Sequence, residues 1–102
     1  MIYYNKLVRD KIPEIIRDKG ENPVVRVMEE DEYIGALEAK LTEEWGEYLE
    51  SKKPEELADI LEVVYALSKA RGCSVEELMQ IYERKHAERG GFEQKIFLIG
   101  KE

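Results

Sequence analysis

Glu44-x-x-Glu47 and Glu56-x-x-Asp59 repeat one acidic spacing on either side of Lys53-Pro54. Residues three apart on a helix are surface neighbours on adjacent turns, so each pair can direct two carboxylates toward one point. Four hard oxygen donors brought together suit Mg²⁺, with Mn²⁺ as the alternative. Without a cation or protons between them, carboxylates that close repel one another.

The elements that must position these acids are legible on both sides. From about Asp31, an N-cap candidate, to Leu49, the residues Ile34, Leu37, Leu41, Trp45 and Tyr48 form an apolar stripe at helical spacing. From about Glu55 to Arg71, Leu57, Ile60, Leu61, Val64 and Leu67 do the same. The connection at Lys53-Pro54 is too short for anything but an antiparallel pair. At ~100° per residue, Glu44 and Glu47 lie ~60° and ~120° to one side of the first stripe. Glu56 and Asp59 lie ~70° and ~130° off the second, in the same rotational sense. Antiparallel neighbours reverse their viewing direction, so equal offsets bring both pairs to one side of the hairpin. Glu47 also stands about as far before the turn as Glu56 stands after it. The competing reading is a solvated acidic face, since Glu is a common helix former. Against it, neither i±4 position of Glu47 holds a Lys or Arg.

Flanking elements complete the picture. Pro13 opens and Gly20 closes a short helix around Ile12 to Lys19. Pro23 to Glu30 is β-branched and bounded by a turn, so it reads as a short strand, with the run Lys95 to Gly100 as its partner. Gly72 stands where a left-handed C-cap belongs, and Ser74 with Glu77 makes a capping box for a third long helix ending at Gly90-Gly91. The expected fold is mainly α: one domain over residues 1–102, an antiparallel helical hairpin with flanking helices and a small two-stranded β element. On the third long helix the inward stripe Val75, Leu78, Met79, Tyr82 continues into Lys85, His86 and Arg89. Such a row is either a set of side chains reaching water past the core's end or a phosphate clamp. Lys6, Arg9 and Lys11 could form a second clamp.

The net charge of −7 argues against a nucleic-acid-binding face, which needs clustered Lys and Arg. No apolar run reaches the ~18 residues of a membrane span. The opening MIYYNKLVRDK lacks the basic-then-apolar order of a secretion signal, so a cytoplasmic location is expected. Cys73 is the single cysteine, which excludes an intrachain disulfide and disfavours a cysteine zinc site.

Taken together, these residues resemble the all-α nucleoside triphosphate pyrophosphatase superfamily, which includes the MazG proteins and phosphoribosyl-ATP pyrophosphatase. Within it, the chain most resembles a compact MazG-like branch that opens with a segment similar to YNKLVRDKIPEII. The resemblance covers nearly the whole chain. Its motif, Glu-Glu-x-x-Glu then Glu-x-x-Asp, matches at Glu43, Glu44, Glu47, Glu56 and Asp59. Lys85-x-x-x-Arg89 followed by Phe92 is similar to its later basic element. Two departures stand out. Only eight residues separate Glu47 from Glu56, roughly two helical turns fewer than usual, which preserves the facing pairs but trims the rim where a base would be read. Glu62 occupies a position that tends to be apolar in larger members, and is a candidate supporting residue.

The resemblance implies hydrolysis of a nucleoside triphosphate to the monophosphate and pyrophosphate, as house-cleaning of non-canonical nucleotides. It gives metal binding to Glu44, Glu47, Glu56 and Asp59, orientation of the attacking water to Glu44 or Glu47, and the departing pyrophosphate to Lys85 and Arg89. Glu43, Glu62, Lys6 and Arg9 are supporting candidates. Phosphoribosyl-ATP is the rival substrate, since the same metal site would serve both. Two readings come from other classes. Glu83-x-x-His86 has the ligand pattern of di-iron bundles, but that architecture needs two such pairs and His86 is the single histidine. A non-enzymatic helical module would use the apolar stripes for association alone. A homodimer or higher oligomer is expected in either case, because two long helices and a shorter one make a thin core.

Overall fold

The computed structural model describes all residues 1–102, and its regular structure is four helices: α1 (Ile12–Asp18), α2 (Glu30–Ser51), α3 (Pro54–Ala70) and α4 (Val75–Arg89). Each boundary has a local cause. Pro13 opens α1, where its missing N–H costs nothing, and Gly20 leaves the helix at φ 82°. Glu30, Asp31 and Glu32 place negative charge in the first turn of α2, against the positive end of the helix dipole. Asp31 therefore lies inside the helix, which begins after Glu29, rather than capping it. At the other end Lys52 turns left-handed at φ 60° while its N–H donates to the Tyr48 carbonyl at 2.8 Å. Lys53 and Pro54 then start α3 at once. This abrupt turn makes α2 and α3 an antiparallel hairpin, and the acids are carried on its two arms.

The line along which the hairpin closes is rotated from the apolar stripes. Leu37, Val63 and Glu44 are the buried residues, at 4%, 7% and 7% exposure. On the helical wheel Leu37 and Glu44 lie ~50° from Leu41 toward the acidic side, and Val63 is displaced in the same sense on α3. The seam thus runs along the acidic edge of the stripes, through Glu44 on α2 and between the Glu56 and Asp59 positions on α3. Glu44 is drawn into it, while Trp45, Leu49, Leu57 and Leu61 on the opposite flank remain about half exposed.

Beyond the hairpin the chain is stretched out. Arg71 and Gly72, the latter at φ 86°, end α3, and the Ser74–Glu77 capping box starts α4. Among the other helices α4 packs on α3 alone, and α1 packs on none. The radius of gyration is 18.0 Å and the principal extents are 62 × 32 × 23 Å. A compact chain of this length has a radius near ~13 Å.

The expected β pairing does not form within the chain. Residues 21–29 run without regular structure into α2, and residues 96–102 are likewise irregular. The reason is topological: α4, ~22 Å long at 1.5 Å per residue, leads the tail away from the hairpin end where Pro23 to Glu29 enters. Neither segment has a ladder partner, and Val27, Phe97 and Ile99 are almost wholly exposed. No helix is long and apolar enough to cross a membrane.

Candidate metal centre

Glu44, Glu56 and Asp59 each present a carboxylate oxygen, and the three oxygens lie within 4.8 Å of one another. Glu44 comes from the middle of α2, at the seam. Its Oε1 accepts a charge contact from Lys40 one turn earlier at 3.5 Å, and its Oε2 is buried with no hydrogen-bond partner. An unpaired buried oxygen costs about 1–3 kcal/mol, more when charged, so a water, proton or cation at this atom would be stabilising. Glu56 stands in the first turn of α3, where Ser51, the last residue of α2, donates its hydroxyl to Oε1 at 3.2 Å. The tight turn therefore both closes the hairpin and orients a carboxylate. Asp59 follows one turn later and accepts from Arg9 Nη2 at 2.7 Å.

Glu47 lies on the same side, exposed. The Glu44 charge above all, then a hydrogen-bonding approach to the Glu44 carboxylate and partial desolvation, with Glu56 adding to them, hold the Glu47 carboxyl above the ordinary carboxylate range. Glu43 shows the opposite balance: burial pushes its carboxyl up, but Lys6 at 3.3 Å and Lys40 at 3.4 Å outweigh that and leave it lowered. Across the group, the five carboxylates of Glu43, Glu44, Glu47, Glu56 and Asp59 face three cations, Lys6, Arg9 and Lys40. Two negative charges remain, the charge of one divalent cation. An all-carboxylate donor set with a buried orphan oxygen fits a hard ion such as Mg²⁺ or Mn²⁺.

Of the residues singled out in the sequence, the hairpin brings Glu43, Glu44, Glu47, Glu56 and Asp59 together, and the N-terminal segment adds Lys6 and Arg9. Glu62 is exposed and outside the three-carboxylate group. Lys85 and Arg89 are exposed on α4, which does not touch α2, so they do not join the acids within one chain. His86 is exposed beside Tyr82, with ring centres 6.0 Å apart, and no carboxylate cluster includes it. Lys40 and Ser51 were not anticipated. Lys40 is legible in the sequence as the i−4 neighbour of Glu44. Ser51 could be placed only by the turn that carries it back to Glu56.

A protein of Mycolicibacterium smegmatis (strain ATCC 700084 / mc(2)155), described as uncharacterized, is 57% identical to this chain over 42 residues. That stretch is 41% of this chain and 43% of the relative, so the match spans under half of either protein. No protein-family model matches the chain. No solved structure matches it.

Proposed function

We propose that the protein is a metal-dependent nucleoside triphosphate pyrophosphohydrolase of MazG-like type, which releases the monophosphate and pyrophosphate. The observation that carries the reading is the buried, unpartnered Glu44 Oε2 beside the carboxylates of Glu56 and Asp59. Glu44, Glu56 and Asp59 would hold the cation, with Glu47 completing the set from the exposed side. When bound, Mg²⁺ there supplies a Lewis acid that neutralises charge on the triphosphate oxygens. Glu47 would orient water for attack on the α-phosphorus and take up its proton. The bond from that phosphorus to the bridging oxygen then breaks and pyrophosphate leaves. Lys6 and Arg9 are the chain's own cations at the acids' edge and would meet the triphosphate first. Lys85 and Arg89 keep the pyrophosphate role only where α4 is brought against a hairpin. House-cleaning of altered nucleotides in the cytoplasm is the role this chemistry suits, and phosphoribosyl-ATP is the alternative substrate.

A second reading has its own support. Arg9–Asp59, Lys6–Glu43 and Lys40–Glu44 already pair much of the acidic charge, as they would in a helical binding module whose acids are structural. The deciding experiment is pyrophosphate release across canonical and modified nucleoside triphosphates and phosphoribosyl-ATP, with Mg²⁺, with EDTA, and in Asp59→Asn protein. Metal-dependent release that the substitution abolishes supports the enzyme. Absence of release from every substrate by folded protein supports the module.

A further inference from the structure

A chain of 11.9 kDa has a folded surface of roughly 6,000 Å² when compact, whereas this one exposes 9276 Å². Its exposed apolar side chains are densest outside the helices, at Met1 to Tyr4, Val24 to Val27 and Phe92 to Ile99. The last two segments share a second property. Residues 22–28 and 96–102 make no backbone hydrogen bond, so each presents a free row of N–H and C=O groups, the template on which another strand pairs. Both are rich in β-branched or aromatic residues, and Pro23, which cannot donate, stands at an end.

The two segments complement one another. Set antiparallel with Val27 opposite Phe97, they place Val25 opposite Ile99 and Glu29 opposite Lys95, all on one face. Val27, Phe97 and Ile99 are the most exposed apolar residues of their segments apart from Phe92, so this face has the most to gain from cover. A slip of two residues keeps the faces but spoils the match. One direction sets Val27 against Lys95 and Glu29 against Glu93; the other sets Val25 against Lys101 and Glu29 against Phe97.

That register is out of reach within one chain. A hairpin of ~33 Å and an α4 of ~22 Å in series account for most of the 62 Å long axis, so α4 points away from the hairpin end where Glu29 enters α2. The joint is stitched: Cys73 N–H donates to the Ser68 carbonyl at 2.9 Å and Ser68 Oγ donates to the Cys73 carbonyl at 2.8 Å. Lys95 follows α4 by a short turn and cannot return the length of the helix to Glu29. A tail doubled back along its own α4 would meet Glu29 with its last residues, which makes the strands parallel and sets Val27 beside Ile99 instead of Phe97.

We infer that Lys95 to Gly100 of one copy pairs antiparallel with Val24 to Glu29 of a second copy, and the reverse, in a two-fold exchange of strands. Each chain carries both halves of a complementary pair, and a two-fold axis satisfies both at once. A lone two-stranded ladder is marginal in water, but closing the first ladder makes the second intramolecular. The pairing uses no hairpin face, no acid of the cluster and no nucleotide, so it is independent of the proposed reaction.

The test joins sedimentation of the full chain at micromolar concentration with disulfide trapping. A mass of about twice 11.9 kDa is expected, and a monomer overturns the proposal. Cys73→Ser chains carrying Val27→Cys are mixed with Cys73→Ser chains carrying Phe97→Cys and oxidised. Directly opposed residues lie within disulfide reach, so a covalent heterodimer is expected. A Cys73→Ser chain bearing both Val27→Cys and Ile99→Cys should stay open at high dilution; closure within that chain would show the tail folding back on itself and would overturn the exchange. Two double variants then test the register. Val27→Lys/Phe97→Lys and Val27→Lys/Phe97→Glu lose the same apolar pair, yet the first puts like charges opposite in both ladders and should dimerise ~10-fold more weakly. General repulsion between chains of net charge −7 cannot give that order, because the first variant carries less net charge. Equal dimerisation of the two, or a dimer in which residues 27 and 97 do not cross-link, overturns the assignment. Circular dichroism of each variant checks that the helices persist.

Discussion

Arg9 and Asp59, 50 positions apart in sequence, meet at 2.7 Å between Nη2 and Oδ1. The pair ties the N-terminal segment to the acidic edge of the hairpin and puts a cation on an oxygen that a metal ion would use. Both side chains are substantially exposed, at 55% and 40%, so the pair contributes on the order of 0–1 kcal/mol to stability. Its larger effect is competition. Arg9→Gln should leave the melting temperature nearly unchanged and tighten Mg²⁺ binding several-fold in a calorimetric titration. Weaker binding in the variant would show instead that Arg9 organises the carboxylates.

Glu44 should behave unlike an ordinary buried ion-pair partner. One oxygen has Lys40 at 3.5 Å and the other has no hydrogen-bond partner, so the surroundings only half satisfy this buried carboxyl group. Replacing a whole buried ion pair with apolar residues is often neutral or stabilising by about 1–4 kcal/mol, and Lys40 would not be stranded by the loss of Glu44, because it keeps Glu43 at 3.4 Å. Glu44→Leu is therefore expected to raise the urea midpoint in EDTA while abolishing any stabilisation by Mg²⁺. Loss of several kcal/mol in EDTA would mean that the Lys40 contact is structural and that Oε2 is satisfied by water.

The elements were far more legible than their arrangement. Pro13, Pro54, Gly20, Gly72 and the Ser74–Glu77 box mark helix ends by short-range chemistry, and the four helices begin and end within two or three residues of the positions they imply. The juxtaposition of the two acid pairs followed from 3.6-residue periodicity and a turn too short for other geometries. What the sequence could not show was the rotation of the seam toward Glu44. Apolar spacing defines a face without saying how much of it one neighbour covers. The stripes of α2 and α3 are wider than a two-helix contact, so the seam settled at one edge and left Trp45 and Leu57 outside. The strand readings at Pro23 to Glu30 and Lys95 to Gly100 rested on β-branched composition, which favours extended backbone but supplies no partner.

Helix α4 should loosen in acid from its N-terminus. The Glu77 carboxyl is lowered by its bond from the Ser74 backbone N–H first, and by the Ser74 side chain second. A folded value below the unfolded one means that the contribution is present above the unfolded value of about 4.3 and is lost as pH falls through the folded one. Amide protection factors at Ser74 and Glu77, corrected for the intrinsic pH dependence of exchange, should fall across that window. Glu77→Gln should flatten the pH dependence, and Ser74→Ala should cost about 1 kcal/mol of local helix stability at neutral pH. Unchanged protection factors down to pH 3 in the parent chain would mean that the box is not what holds the end of α4.

Metal binding should sort the acids by position rather than by number. A ligand that binds only the folded chain at ten times its dissociation constant stabilises it by about 1.4 kcal/mol, which a thermal melt of a domain this size resolves as several degrees. That shift with Mg²⁺ or Mn²⁺ should vanish in Asp59→Asn and in Glu56→Gln, whose oxygens lie within 4.8 Å of Glu44. It should shrink in Glu47→Gln, which stands beside the group, and persist in Glu62→Gln, which is exposed on α3 outside it. All four substitutions remove one negative charge from the same hairpin, so a general electrostatic attraction of cations would reduce the shift equally in each. Equal reduction would dissolve the site into a diffuse acidic surface and remove the observation on which the proposed hydrolysis rests.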